Sequence, residues 1–381
     1  MLKVMTIFGT RPEAIKMAPV VLELKKHAAE IETVVTVTAQ HRQMLDQVLK
    51  LFRIRPDYDL DIMSQGQTLY DITTRALQGL KTVLEKEKPD LVLVHGDTTT
   101  TFAGALAAYY QQIPVGHVEA GLRTGNIYSP FPEEMNRKLT GAMTAVHFSP
   151  TPTAKANLLR EGIAENSVYV TGNTVIDALM NTVRDDYRFA DDELQGIDFG
   201  RRRMILLTTH RRENLGEPMR HIYKALRSII DEIPDTEIVF PVHRNPLVRR
   251  VVEEELSGAA RIHLIEPLEY EPFANLMNRS CLVLTDSGGI QEEAPSLGKP
   301  VLVLRDTTER PEAIAAGTVR LIGTRKDVVY GETKKLLTDD AAYEQMSNAV
   351  NPYGDGLAAK RIVQAILYVF CKFKEKPEEF L

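Results

Sequence analysis

Short apolar runs alternate with longer segments whose apolar residues recur at helical spacing, from one end of the chain to the other. The runs in the first half are Val4–Phe8, Thr33–Thr38, Leu91–His95, Val115–Val118, Ala145–Phe148 and Val168–Val170. A second series comprises Met204–Thr208, Glu237–Pro241, Ile262–Leu264, Cys281–Thr285 and Val301–Leu304. Between the runs lie stretches such as TLYDITTRALQGLKTVLEKE, Thr68–Glu87, with an apolar stripe at the 3.6-residue period. This alternation predicts an α/β protein with parallel sheets, right-handed crossovers and helices on both faces. The polar stretch RDDYRFADDELQGIDFGRRR interrupts the pattern before Met204. It predicts two doubly wound, Rossmann-like domains, residues 1–170 and 171–365, with an interdomain cleft at the carboxyl ends of both sheets. The last helical segment, 366–381, is expected to pack back on the first domain.

At 381 residues the length suits two domains, and 44% hydrophobic with 26% charged residues allows a sizeable core. A net charge of -6 argues against nucleic acid or an anionic membrane surface as partner. The two cysteines, Cys281 and Cys371, lie far apart and support neither a zinc site nor a disulfide framework. The N-terminal apolar stretch meets a glycine too early for a signal peptide, and no run is long enough for a membrane span. A cytoplasmic protein is expected.

In this architecture the informative residues follow the strands. After the first strand come Gly9, Thr10 and Arg11, where Thr10 and Glu13 fit a capping box and Pro12 suits the first turn. The helix N-terminus offers N–H groups to an anion, with Arg11 at its mouth and Lys16 a turn deeper. A capped helix with two solvated cations explains the same residues. Asp97 follows the strand Leu91–His95, and a plain helix N-cap is the simpler account of it. Glu119 stands directly at a strand end, where a glutamate serves neither turn nor helix well. Glu133 and Glu134 either give first-turn charge to a helix opened by Pro132 or add a carboxylate to the site.

In the second half TTHRREN puts His210 and Arg211 at a strand end, and PVHRNP does the same for His243 and Arg244. Ser287, Gly288 and Gly289 follow a strand and open a helix, so backbone N–H groups can approach a phosphate. Glu292 and Glu293 lie one turn in, where a carboxylate can accept ribose hydroxyls, and Arg310 follows the next strand. Strand, Ser-Gly-Gly turn, helix and acidic residue form a nucleotide-binding pattern that leaves the base open. No histidine or carboxylate spacing matches a metal motif, and no nucleophile pattern stands out.

FGTRPEAIKMAP, TAQHRQML, HGDTTTT, HVEAGLRT, PEEMNR, THRREN and SGGIQEEAPSLGKPVLVLRDTTERPEA occur in that order across the chain. In them the chain resembles the non-hydrolysing, bacterial UDP-N-acetylglucosamine 2-epimerases. The resemblance implies a glycosyltransferase-B-type fold, a homodimer, interconversion of UDP-GlcNAc and UDP-ManNAc, and neither NAD nor an obligatory metal. It implies catalytic roles for Lys16, Asp97, Glu119, Glu133 and His210. UDP and its diphosphate would meet Arg11, Lys16, His210, Phe273, Ser287, Gly288, Gly289, Glu293 and Arg310. An allosteric UDP-GlcNAc would meet Gln40, Gln43, Arg211 and His243. A glycosyltransferase on the same fold, a hydrolysing 2-epimerase and a non-catalytic nucleotide-sugar sensor are the alternatives. The carboxylate set facing the cationic set suits elimination without an acceptor rather than glycosyl transfer, and a sensor would need no acid/base groups.

Overall fold

The computed structural model describes residues 1–39, 42–371 and 373–380. The chain divides into two compact units, Met1–Asn181 with Tyr353–Leu381, and Thr182–Pro352. The crossings fall at 181 and 353 where the sequence suggests 170 and 366, and a buried carboxylate accounts for both. Asp177, on the helix Thr174–Thr182, accepts the amides of Ala358 (3.2 Å) and Ala359 (2.8 Å). It thereby caps the returning helix Ala358–Cys371, whose Ile362, Val363 and Ile366 are fully buried. The whole of that helix belongs to the first unit. Burial raises the Asp177 carboxyl to about 6 against those two amides.

The first unit carries β1 (Leu2–Phe8), β2 (Ile31–Val37), β3 (Tyr58–Asp59), β4 (Leu91–His95), β5 (Val115–Val118), β6 (Val146–Ser149) and β7 (Val168–Val170). Among the described residues they form one seven-stranded sheet in the order β3-β2-β1-β4-β5-β6-β7. The second unit carries β8 (Arg203–Thr208), β9 (Thr236–Pro241), β10 (Ile262–Ile265), β11 (Leu282–Thr285), β12 (Val301–Val303) and β13 (Val319–Leu321), ordered β10-β9-β8-β11-β12-β13. The strand pairs are parallel. β3 and β13 escape a reading of apolar runs because they are short edge strands.

Both orders reverse direction once, between β1 and β4 in the first unit and between β8 and β11 in the second. Helices leave to opposite faces there, which opens a crevice beyond the strands' carboxyl ends. In the first unit, Met5, Ile7, Val92 and Val94 pack against Leu80, Leu84 and Ala108 from flanking helices. In the second, Ile205, Leu207 and Phe240 pack against Ile222, Leu226 and Ile229 of the amphipathic helix Glu217–Glu232. No helix among the described residues is long and apolar enough to cross a membrane.

Candidate functional site

In the first unit the crevice is stitched together by Glu13. The Thr10–Glu13 capping box forms at the helix Arg11–Lys26, and the buried Glu13 carboxylate accepts the amides of Gly9 (3.1 Å) and Thr10 (2.8 Å). It also takes the hydroxyls of Thr98 (2.7 Å) and Thr101 (3.1 Å), on the far side of the crevice. The helix start therefore already holds an anion of its own. The amides of Gly9 and Thr10 are occupied by it, and Arg11, exposed at the helix start, is left as the cation at its mouth. Gly9 is required for close approach, since a Cβ there would lie 2.0 Å from Thr38 Oγ1 and 2.7 Å from Thr100 Oγ1.

Asp97 does not cap the following helix. Thr98 does, accepting the amide of Thr101, which leaves the Asp97 carboxylate to other partners. Its Oδ2 lies 2.5 Å from Arg137 Nη2, on the helix Glu133–Met143. Glu119, directly after β5, is 7% exposed and adopts φ 64, a left-handed conformation that costs a glutamate about 1 kcal/mol. Lys16 is ion-paired to its Oε2, Asn173 Nδ2 donates to the same oxygen at 3.1 Å, and Arg137 Nη2 stands 3.7 Å from Oε1. Burial pushes the Glu119 carboxyl upward, but the positive charges of Lys16 and Arg137 outweigh it and hold the group well below the ordinary range. Lys16, expected beside a diphosphate, is thus bound to a carboxylate across the crevice.

Behind this pair stand buried histidines. His117 Nε2 donates to the Gly96 carbonyl at 2.7 Å, and His95 Nε2 lies 3.9 Å from Glu119 Oε2. Burial lowers both rings to about 3 and that of His147, beside His117 on β6, to about 4. All three are neutral at physiological pH. Glu133 lies half-buried in the first turn of its helix, where the plainer reading put it. Its neighbour Glu134 is buried and accepts the amides of Thr124 (3.0 Å) and Gly125 (3.1 Å), which fixes the loop before the helix.

In the second unit, amides, Asn214 and the His210 ring gather around a buried carboxylate after β11. Asp286, after β11, is fully buried, and its Oδ2 accepts the amides of His210 and Arg211, each at 2.9 Å, and Asn214 Nδ2 at 3.2 Å. His210 Nδ1 stands 3.1 Å from Oδ1. Burial raises the Asp286 carboxyl, and His210 with these amides outweighs it, so the group is held below its ordinary value. The His243 ring stacks on His210 with centroids 5.6 Å apart, and burial and that neighbour lower its pKa. Arg211 donates from Nε to the Asp286 carbonyl at 3.2 Å. Its Nη2 lies 3.9 Å from where a Gly288 Cβ would sit. The residues assigned by resemblance to a second ligand thus adjoin those assigned to the first. Gln40 lies outside the described residues, as does the side chain of Gln43.

Ser287, Gly288 and Gly289 form the turn between β11 and the helix Ile290–Ser296. A Cβ at Gly289 would meet nothing within 4 Å, so the space above the turn is open. Glu293 is buried and accepts the Tyr270 hydroxyl at 3.2 Å. Arg310 is paired through Nε with the buried Glu292. Phe273 is half-buried on the helix Tyr270–Arg279. Asp286 and Arg137 are the organising groups that a reading of motifs passes over. Asp286 stands inside the TDSGG stretch, where a strand-end carboxylate before two glycines was a usable signal. Arg137 gave none, because its partners lie in other segments. Among the described residues, no three His, Cys, Asp or Glu side chains gather as a metal-binding group.

A family model described as UDP-N-acetylglucosamine 2-epimerase matches residues 22–367. The chain is 60% identical over 379 residues to the UDP-N-acetylglucosamine 2-epimerase of Bacillus subtilis (strain 168), covering 100% of this chain and 98% of that one. A solved UDP-N-acetylglucosamine 2-epimerase, 58% identical, superposes with a TM-score of 0.93 over 100% of this chain and 99% of the other. The Neisseria meningitidis UDP-GlcNAc 2-epimerase, solved bound to UDP-GlcNAc, is 53% identical with a TM-score of 0.82, covering 96% of this chain and 100% of that one. A glycosyltransferase only 14% identical shares the fold at a TM-score of 0.63, covering 95% of this chain and 98% of its own. The fold is of the glycosyltransferase-B type.

Proposed function

Since the chain belongs to the UDP-N-acetylglucosamine 2-epimerases of the non-hydrolysing bacterial type, isomerases of a nucleotide sugar, we propose that it inverts C2 by anti elimination and re-addition of UDP. The C2 proton is not adjacent to a carbonyl, so no carboxylate removes it directly at a useful rate. Cleavage of the C1–O bond builds positive charge at C1, which acidifies C2–H. A carboxylate then takes that proton as UDP departs, leaving 2-acetamidoglucal. A proton returns to C2 on the opposite face, and UDP re-adds at C1 to give UDP-ManNAc. Proton transfer at two faces calls for two acid/base groups, or one group with water.

The observation that carries this reading is the pair of carboxylates at adjoining strand ends, Asp97 after β4 and Glu119 after β5, held among Lys16 and Arg137. An oxocarbenium-like centre draws on such carboxylates, and Glu133 is assigned with them. Departure of UDP draws on positively charged and N–H-rich surroundings. Arg11, Lys16, His210 and the Ser287–Gly288–Gly289 turn are assigned that role, with Phe273, Glu293 and Arg310 completing the nucleotide contacts. A second UDP-GlcNAc at Arg211 and His243, with Gln40 and Gln43, would act as an activator. The enzyme is further assigned as a cytoplasmic homodimer that supplies ManNAc for cell-surface polysaccharide.

Incubation with UDP-GlcNAc in D₂O, without an acceptor, tests the reaction. UDP-ManNAc carrying deuterium at C2, read by NMR, is the expected product. Hydrogen retained at C2, or release of free sugar alone, overturns the elimination.

A further inference from the structure

Two carboxylates brought to neighbouring strand ends repel one another, and the structure places one guanidinium between them. Arg137 Nη2 lies 2.5 Å from Asp97 Oδ2 and 3.7 Å from Glu119 Oε1, while Nη1 donates to the Glu119 carbonyl at 3.5 Å. Its side chain is 13% exposed, so water screens these contacts little. The preceding residue, Asn136, donates from Nδ2 to the Asp97 carbonyl at 2.9 Å. One helical turn thus fixes both the backbone and the carboxylate of Asp97. Lys16 and Asn173 engage the other oxygen of Glu119, Oε2, so Arg137 addresses the oxygen that faces Gly96, where a Cβ would lie 3.6 Å away. His117 holds the Gly96 carbonyl from below.

We propose that Arg137 is a positioning residue whose planar guanidinium holds Asp97 and Glu119 together as a single two-carboxylate unit. A fork of fixed geometry can address two acceptors at once, which an ammonium on a flexible stem does not reproduce. Without it the two carboxylates repel, and one binds a proton more readily. The groups facing Glu119 are Lys16 from the first helix, His95 from β4, Asn173 after β7, and Arg137 itself. His95 is neutral at working pH because burial lowers it to about 3. Loss of Arg137 therefore leaves Lys16 as the one positive charge on Glu119 among these groups.

The assignment rests on the proposed epimerase reaction, and the experiment separates the two. Epimerisation by the wild-type enzyme, Arg137→Met and Arg137→Lys is followed across pH with UDP-GlcNAc, alongside deuterium uptake at C2. For Arg137→Met, kcat is expected to fall about 100-fold with KM within about threefold. The acid limb of its kcat profile should move up by roughly one pH unit. Arg137→Lys, which keeps the charge, should return the acid limb to the wild-type position while kcat stays about tenfold low. A kcat within about threefold of wild type in Arg137→Met, or a fallen kcat with an unmoved acid limb, overturns the assignment. Should Arg137→Met not fold, the lysine variant decides, and wild-type kcat in it overturns the proposal. A wild-type enzyme that places no deuterium at C2 defeats the reaction instead.

Discussion

The two units share a strand order around their switch points and expose different groups there. Beside the first, β4 and β5 lead into carboxylates, Asp97 and Glu119, that are gripped by cations from helices. At the second, β8 leads into His210 and Arg211, whose amides are gripped by the carboxylate Asp286 at the end of β11. In both units a buried carboxylate sits at the centre, Glu119 held by Lys16 and Arg137, and Asp286 held by the amides of His210 and Arg211 and by Asn214. The topology decides where a site forms, and the half-exposed groups beside the buried carboxylate, Asp97 in the first unit and His210 and Arg211 in the second, decide what it offers a ligand. A unit with anchored carboxylates suits proton transfer, and a unit with anchored cations beside a glycine turn suits a nucleotide's phosphates.

This division of labour is open to attack at three points. The largest expected effect is from Glu119→Gln, which keeps the shape and removes the charge. Turnover should drop about 1,000-fold while UDP affinity, measured by calorimetry, stays within about threefold. A matching loss of UDP affinity would mean that the first unit's carboxylates serve binding and not chemistry. Asp286→Asn comes next, because it removes the charge that faces His210 and loosens the amides of the β8 exit. UDP affinity and turnover should fall together, by roughly 10- to 100-fold, for the loss of charge-assisted hydrogen bonds. Turnover lost at full UDP affinity would instead make the second unit's cations catalytic only. The smallest effect is expected of Gly289→Ala. Its φ of -64 and the open space at its Cβ leave stability unchanged within about 0.5 kcal/mol, by thermal unfolding. If the turn meets a phosphate, the added methyl should weaken UDP by about tenfold, and unchanged affinity would remove Gly289 from the nucleotide contacts.

The motifs placed the strand-end residues well because each is local. Thr10, Glu13 and Pro12 announce a capped helix within four positions, and the Ser-Gly-Gly turn announces itself after an apolar run. What those residues touch was less legible. The capping box already gives Glu13 the Thr10 amide, but the Gly9 amide and the hydroxyls of Thr98 and Thr101 that it also holds depend on the tertiary structure. Asp97 read most simply as an N-cap, yet the cap is its neighbour Thr98. One residue's shift along the chain turned a structural carboxylate into a candidate acid/base group.

Period, caps and turn chemistry act over a few residues, so the alternation of strands and helices, the family, and the residues at the carboxyl ends of the strands are all legible along the chain. Tertiary structure alone decided the partners. Lys16 meets Glu119, Arg137 meets Asp97, His210 stacks on His243, and Asp177 caps a helix from the far end of the chain. These contacts depend on strand order and on the face to which each crossover helix returns, which no local window contains. The burial that lowers His95 and sets Glu119 among its cations arises in the same way. A charge is anchored only once distant segments have closed around it.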